Sequence, residues 1–533
     1  MKQLPQSGAW IRLLELAQKH YLLITLIPGI LLIACWTVVR FWSSKTIFDL
    51  IGQQVLAQTL LKDGSMDGTV GATNYILKLF FVYIPFESLH IDPRLGLILM
   101  TLLINIASFL LIVFAIRSIA RTLNVFHKGM FVVAMIWFAS LAGSILWIEF
   151  ANSRNIEIAA GLWLVAIGLK LRGTIRLSLV IGFLAVTVTA FFMDPLQIYM
   201  TALPLLIFCT ITASIRVYRH TECNILKRTG WIALLLIVGY VLAKALLAGV
   251  EAVTGIRVID GQSSYLGITN LTQLIDGLKG LGKANIRLFS GYVDDGGRLR
   301  QIVALAGALW VTTVWIISAI KKKIPVEFAL FVTIFITFIE AIYLLSGQSL
   351  TGDTSRYLVM VIPVFILLIA SLSSRDNMKR LAAFALAVVV IYNTITLGGL
   401  LLVASRSAYS QDEPLSQIAA LVINNKDVTF YGSMDTALPT MYYYPDTAVL
   451  PLSCSDMKLA RARMFYPNSS FDKYQAISTK FKAVILDNGK VITNYPSICG
   501  EKSVKKQLGT PIRQSMTSND FTVLYYPSNS FQF

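Results

Sequence analysis

From near the N-terminus to about residue 402, the chain repeats one feature: runs of about twenty residues that carry almost no charge. Coiled as an α-helix at about 1.5 Å per residue, such a run matches the roughly 30 Å hydrocarbon core of a bilayer. With no water there to satisfy backbone N–H and C=O groups, a lone spanning segment has only the helix open to it. Eleven candidate spans begin near Tyr21, Leu95, Met130, Ile156, Leu177, Gln197, Trp231, Ile302, Val326, Tyr357 and Leu381. Only 14% of the 533 residues are charged, against about 25% in ordinary soluble domains. The expected fold is an all-α polytopic membrane domain over residues 1–403, followed by a small soluble α/β domain over 404–533.

Sidedness follows from where the lysines and arginines fall. Lys2, Arg12 and Lys19 precede the first span, and further clusters lie at Arg117 to Lys128, Lys170 to Arg176, Arg216 to Arg228, Lys321 to Lys323, and Arg375 to Arg380. If all eleven spans are real, every cluster falls on one side. Cytosolic loops carry that excess, so the N-terminus is expected in the cytosol and the 404–533 domain outside, in a multi-pass plasma-membrane protein. The net charge of +17 is thereby accounted for. No compact basic face with interleaved aromatics is visible, and no nucleic-acid partner is expected. The first apolar run, Tyr21 to Val39, lacks a small-residue cleavage site, so it reads as a retained span.

Two outer loops are long, 40–94 and 251–300, and each carries an amphipathic helical pattern, Ile51 to Leu61 and Leu266 to Leu288, that suits a helix lying in the interface. In the C-terminal region, runs beginning at Val428, Thr447, Lys482 and Phe521 read as strands, with helices expected over Leu415 to Ile423 and Ser455 to Arg463. Cys454 and Cys499 would share an oxidising compartment, and a disulfide between them is expected.

Chemistry concentrates after the first span. Phe48 and Asp49 are followed by Ala57, Leu60, Leu61 and Gly64. The spare reading of Asp49 is a carboxylate that opens a helix at the favourable end of its dipole. Further on, Ser153, Arg154, Asn155, Ile156 and Glu157 open the fourth span, and Ser355, Arg356, Tyr357 and Leu358, with Pro363 beyond, open a late one. These three fragments, in this order and on one side, resemble the GT-C superfamily of membrane glycosyltransferases. An aspartate pair found in the second outer loop of some branches is replaced here by Glu149 and Glu157 flanking Asn152 and Arg154.

The resemblance implies Asp49 as catalytic base, a polyprenyl-phosphate-linked sugar as donor arriving through membrane lipid, and an extracytoplasmic glycan, lipid or protein as acceptor. A carboxylate within about 3 Å of the acceptor hydroxyl takes its proton as it attacks the anomeric carbon, inverting it. Charge grows on the leaving phosphate, which guanidinium matches bidentately. Arg356 is the first candidate for that contact and Arg154 the second, with Glu157 orienting Arg154 or the acceptor and Tyr357 beside Arg356. Either arginine could equally anchor a helix end at the headgroups.

Lys244 and Glu340 lie within spans, where an ionised group usually faces a cavity or a partner. Lys244 could touch the lipid phosphate, or the two could pair; Glu327 sits too near the cytosolic end for either role. No cofactor is certain, though Asp294 and Asp295, ahead of Gly296 and Gly297, leave a divalent cation open beside the plainer reading of a solvated loop tip. Asp194 and Pro195 suit a tight turn. A Gly-rich phosphate loop is missing from the sequence, which argues against direct use of ATP or a nucleotide sugar. Two other classes stay open: a transporter or flippase of a lipid-linked saccharide, and a non-catalytic envelope assembly protein.

Overall fold

The computed structural model describes residues 19–43, 48–63, 69–70, 74–141, 155–219, 224–258, 267, 270–290, 297–321, 323–345, 358–372, 377–407 and 413–529, apart from short stretches at 456–457, 463–465, 467, 477–478, 488–489, 493–497 and 517–520. Helix α1 is Tyr21–Ser43 and α2 is Phe48–Asp63; a two-residue strand β1, Thr69–Val70, follows. Next comes α3, Asn74–Lys78, which runs through a π-helical turn, Leu79–Tyr83, into α4, Ile84–Glu87. Then come α5 Pro93–Thr122, α6 Lys128–Leu141, α7 Asn155–Gly173, α8 Leu177–Met193, a second π-helical turn Ile198–Ala202 leading into α9 Leu203–Tyr218, and α10 Asn224–Thr254. Strand β2 is Arg257–Val258, and the helices continue as α11 Leu271–Ser290, α12 Gly297–Ile320, α13 Val326–Leu345, α14 Val361–Ala370 and α15 Asn377–Ser407.

Over the described residues, each of the eleven expected spans contains a helix. Five segments are long and apolar enough to cross a bilayer, at Tyr21–Val39, Pro93–Thr122, Ile198–Tyr218, Asn224–Thr254 and Val326–Leu345, and shorter apolar helices accompany them. The chain is a multi-pass membrane protein. Its contacts divide it into two compact units, one of residues 1–38, 101–246 and 262–401, the other of 39–100, 247–261 and 402–533.

The first unit is helical. Small residues let its helices close up where side chains from neighbours intrude, as bilayer-embedded bundles require. A Cβ on Gly29 would collide with the Phe109 ring, and one on Gly239 with Thr187. A buried polar chain joins three helices: Asn155 Nδ2 donates to Asn105 Oδ1 at 2.8 Å, Asn105 Nδ2 to Thr37 Oγ1 at 3.1 Å, and Thr37 Oγ1 to the Ile33 carbonyl at 2.8 Å.

At the end of α7 rich in basic residues, Arg172 Nη1 lies 2.6 Å from Glu327 Oε1 and donates to Thr212 Oγ1 at 3.1 Å, while Arg216 reaches the same carboxylate at 3.2 Å. Glu327 is thus the shared counter-ion of α7 and α9, more than its position in the sequence suggested. Arg172 is 8% exposed and Glu327 33%. Glu327→Gln should leave a nearly buried cation short of charge and cost about 1–3 kcal/mol, below the range for a fully enclosed pair because water still reaches Glu327. Thermal unfolding in detergent measures this. The double variant Arg172→Met with Glu327→Leu should recover most of the loss.

In the second unit, α16 (Glu413–Asn424) precedes an open mixed sheet. Its strands and helices are β3 Val428–Ser433, α17 Met434–Tyr443, β4 Val449–Ser455, β5 Lys458–Arg461, α18 Asn468–Gln475, β6 Phe481–Asp487, β7 Lys490–Ile492, β8 Ile498–Gly500, α19 Glu501–Leu508, β9 Arg513–Met516 and β10 Phe521–Pro527. The order is β5-β4-β3-β6-β10-β9, with β7 and β8 off that path. Strands β4, β3 and β6 run parallel; β5, β10 and β9 are antiparallel to their neighbours. The central parallel strands are covered on both faces, so β3 and β6 are buried almost continuously rather than alternately.

The four runs read as strands are strands. The helix expected over Ser455 to Arg463 is instead the β4–β5 hairpin, with Cys454 opposite Leu459; cross-strand pairing overrides a weak local helical preference. Cys454 and Cys499 are disulfide-bonded, stapling β4 to β8. The same unit includes α2, which packs against α17, the α3–α4 stretch, and β1 paired in parallel with β2 through Thr69↔Arg257 and Val70↔Val258.

Candidate functional site

Helix α2 carries Asp49 in its first turn, where an acid favours the helix. From Ile51 to Ala57 every residue of this helix is buried, which is more enclosure than an interfacial helix requires. Among them are two glutamines, Gln53 at 1% and Gln54 at 0% exposure.

Two polar ties hold α2 to its surroundings in the second unit, and a third set braces the same neighbours. Gln58 Nε2 donates to Glu87 Oε2 at 3.0 Å, and Lys62 Nζ donates to the Pro445 carbonyl at 3.1 Å. From α17, the Tyr442 hydroxyl donates to the Pro93 carbonyl at 2.8 Å and also bonds Glu87. Lys78, at the junction with the π-helical turn, is 2% exposed. Just beyond, Asp92 Oδ1 accepts from the Arg94 and Leu95 N–H groups and so starts α5, and Arg94 lies over the Tyr443 ring. A cleft of about 90 Å³ opens between Asp92, Pro93, Arg94, Leu415, Tyr443 and Tyr444.

Burial pushes the Glu87 carboxyl above its ordinary value of 4.5, against the opposing hydrogen bonds from Gln58 and Tyr442. Burial, and then the charge of Glu87, pushes the Tyr442 phenol well up in turn. The sign for stability follows by linkage. Below 4.5 both folded and unfolded chains hold the Glu87 proton; as pH rises, the unfolded chain loses it first, so stability falls until the folded protein also ionises. Glu87→Gln should flatten that acid-side decline, as unfolding temperatures taken from about pH 4 upward would reveal; an unchanged slope would assign the decline to other groups.

In the first unit, Glu157 lies in the first turn of α7 and is fully buried. Lys244, on an exposed stretch of α10, sits over the Tyr240 ring at 5.9 Å. Glu340 accepts a hydrogen bond from Asn285 of α11 at 3.2 Å. Lys244 and Glu340 therefore do not pair, which removes one of the two expectations for them; on a helix the lysine has its own ring to rest on, while α11 supplies the glutamate's donor. Asp194 closes a tight turn, accepting the Leu196 N–H at 3.0 Å on Oδ1.

Arg154, Arg356 and Tyr357 lie outside the described residues, as do Glu149, Asp294 and Asp295. Of the expected site residues, Asp49 belongs to the second unit, and Glu157 and Lys244 to the first. Among the described residues, no group of three His, Cys, Asp or Glu side chains gathers as metal ligands.

Gln53, Gln54, Lys78 and the Glu87–Tyr442 pair were not singled out from the sequence. Only the amphipathic pattern of Ile51 to Leu61 hinted at a packed helix, and its partner, α17, lies nearly four hundred residues further on. A scan against protein-family models and a search of curated proteins both find no match to the chain.

Proposed function

We propose that the protein is a membrane glycosyltransferase of the GT-C kind, moving a sugar from a polyprenyl-phosphate donor to an acceptor outside the membrane, with Asp49 as general base. The observation that carries this reading is the shared unit of α2 and the disulfide-bonded sheet. A structural disulfide belongs to an oxidising compartment. Whatever is built into the same folded unit shares its side, so this grouping supports an outer position for Asp49 independently of loop charge.

Helix parity agrees. Among the described residues, the chain runs between the second unit's segments through six apolar helices over residues 101–246 and four over 262–401, besides the amphipathic α11. If each of these helices crosses once and α11 lies in the interface, both excursions return to the starting side, which agrees with the proposed sidedness. Among the described residues one apolar helix, α1, precedes Asp49, in keeping with a cytosolic N-terminus.

In the proposed mechanism Asp49 takes the proton of the acceptor hydroxyl during direct displacement at the anomeric carbon. Arg356, with Arg154 as a second cation, neutralises the departing lipid phosphate; Tyr357 flanks Arg356, and Glu157 orients Arg154. Lys244, in the outer half of α10 under this topology, is the candidate to meet the lipid phosphate as the donor arrives.

A flippase for a lipid-linked saccharide would use the same cations and need no base. Purified protein in liposomes, given radiolabelled polyprenyl-phosphate sugars and a glycan or lipid acceptor, distinguishes the two: a new glycosidic bond supports the transferase, and lipid movement without one supports transport. Cysteine labelling of intact cells tests sidedness, and residues 49 and 356 reporting opposite faces would end the proposal. Truncation at Leu402 does not single out an assembly role for the C-terminal domain, because it also removes α17, against which α2 packs.

A further inference from the structure

The two glutamines of α2 are a problem for a merely structural helix. Both amides are buried, and none of their four polar atoms, Nε2 and Oε1 of Gln53 and of Gln54, has a hydrogen-bond partner. Buried side-chain polar atoms in proteins are nearly always paired, because leaving one unmade forfeits its hydration without return. Leucine or methionine would fill the same space without that penalty. Two adjacent residues bearing it, about 6 Å along the helix from Asp49, point to something that the amides are held ready to receive.

We propose that Gln53 and Gln54 form a recognition pair for the hydroxyl groups of a neutral sugar. This rests on the transferase reading for the sugar's role, though not for its binding. Each amide offers two N–H donors and one carbonyl acceptor. An anion would meet the N–H groups but be repelled by two carbonyl oxygens, and a cation would meet the reverse mismatch. A polyhydroxylated ring, whose every hydroxyl both donates and accepts, satisfies both halves of both amides. Being about 100° apart around the helix, the two side chains address different hydroxyls, as is needed to distinguish one epimer from another. The class of ligand is the glycosyl ring of the lipid-linked donor, brought to within about a helical turn of the base. A site built to pair a hydroxyl discriminates strongly against a sugar lacking it, since the amide is then left unpaired again.

The test uses the full-length protein in detergent, with thermal unfolding as the readout. The probes are short-chain polyprenyl phosphates carrying mannose, glucose, galactose, N-acetylglucosamine or arabinose, and the same lipid phosphate bare. For wild type, at least one sugar-bearing probe should raise the unfolding temperature beyond the bare lipid. In Gln53→Met with Gln54→Met that sugar-dependent increment should vanish, and the affinity for that probe should drop at least tenfold. Without ligand, the same double variant should unfold at an equal or higher temperature, since it lacks the orphaned amides.

A sugar increment that survives in the double variant overturns the proposal and leaves internal water as the amides' partner. No increment with any probe on the wild type overturns it as well, and so does a fall in the unliganded unfolding temperature of each single Met variant, which would show the amides already paired. Asp49→Asn should keep the increment. If the wild type binds sugar through these amides but forms no glycosidic bond, the transferase reading fails and this one stands. If it forms the bond with the increment untouched in the glutamine variants, the reverse holds.

Discussion

Asp49→Asn is expected to lower the rate of sugar transfer by about 10²–10⁴-fold, the usual span for losing a positioned base. The substitution keeps the shape and removes the proton acceptor. In barrier terms that is about 3–5 kcal/mol. The competing explanation of this residue predicts something far smaller: as a carboxylate in the first turn of α2 it contributes about 0.3–1 kcal/mol through the helix dipole. The two effects also appear in different measurements. Loss of the base lowers turnover with unfolding temperature and donor affinity nearly unchanged; loss of a dipole contact shifts stability slightly and leaves turnover alone. Stopped assays over a donor titration, run beside thermal unfolding, separate them. An Asn variant with wild-type turnover would return Asp49 to the role of a helix-opening residue.

Removing the disulfide should be the largest single blow to stability. Cys454 and Cys499 close a loop with a sequence separation of 45 and are both fully buried. On the chain-entropy account a loop of that length contributes about 4 kcal/mol, and native bridges lost from small domains cost about 2–5. For a unit of this size the unfolding temperature should drop by about 5–15 °C in Cys454→Ser with Cys499→Ser. Because neither sulfur is exposed, dithiothreitol should act on the native protein only slowly, through local opening, and quickly on heating. The consequence for activity would be indirect: α17 hangs between β3 and β4, and α2 leans on α17. Unfolding temperatures unmoved by the substitution would show that the sheet holds without its staple, and would weaken the argument placing α2 outside the cytosol.

The membrane helices were legible because their signal is long and simple, an apolar run matched to a bilayer. The central strands were legible because parallel strands covered on both faces read as continuous apolar runs, as Val428 to Ser433 does. The segment after Ser455 was not, since a four-residue edge strand is decided by what it pairs with. Of the proposed site, the sequence offered Asp49 as a candidate and gave no hint of the buried amides beside it. Gln53 and Gln54 look in sequence like the polar side of an amphipathic helix, and only enclosure by distant parts of the chain turns them into buried amides. Glu327 was undervalued for the same reason: its two arginines come from α7 and α9, which no local pattern connects to it.

The second unit is assembled from three separated stretches, at residues 39–100, 247–261 and 402–533. A ribosome delivers them in that order, so the helix bearing Asp49 emerges early and waits for α17 until translation is almost finished. While it waits it has Glu87 beside it but neither the Pro445 carbonyl nor the cover of α17, and on the proposed reading nascent chains should be inert toward sugar lipids already present in the membrane. Competence would arrive in one step, when the last stretch folds and its cysteines oxidise. A frameshift or stop anywhere in the final quarter of the message would then silence the protein as completely as one near the start.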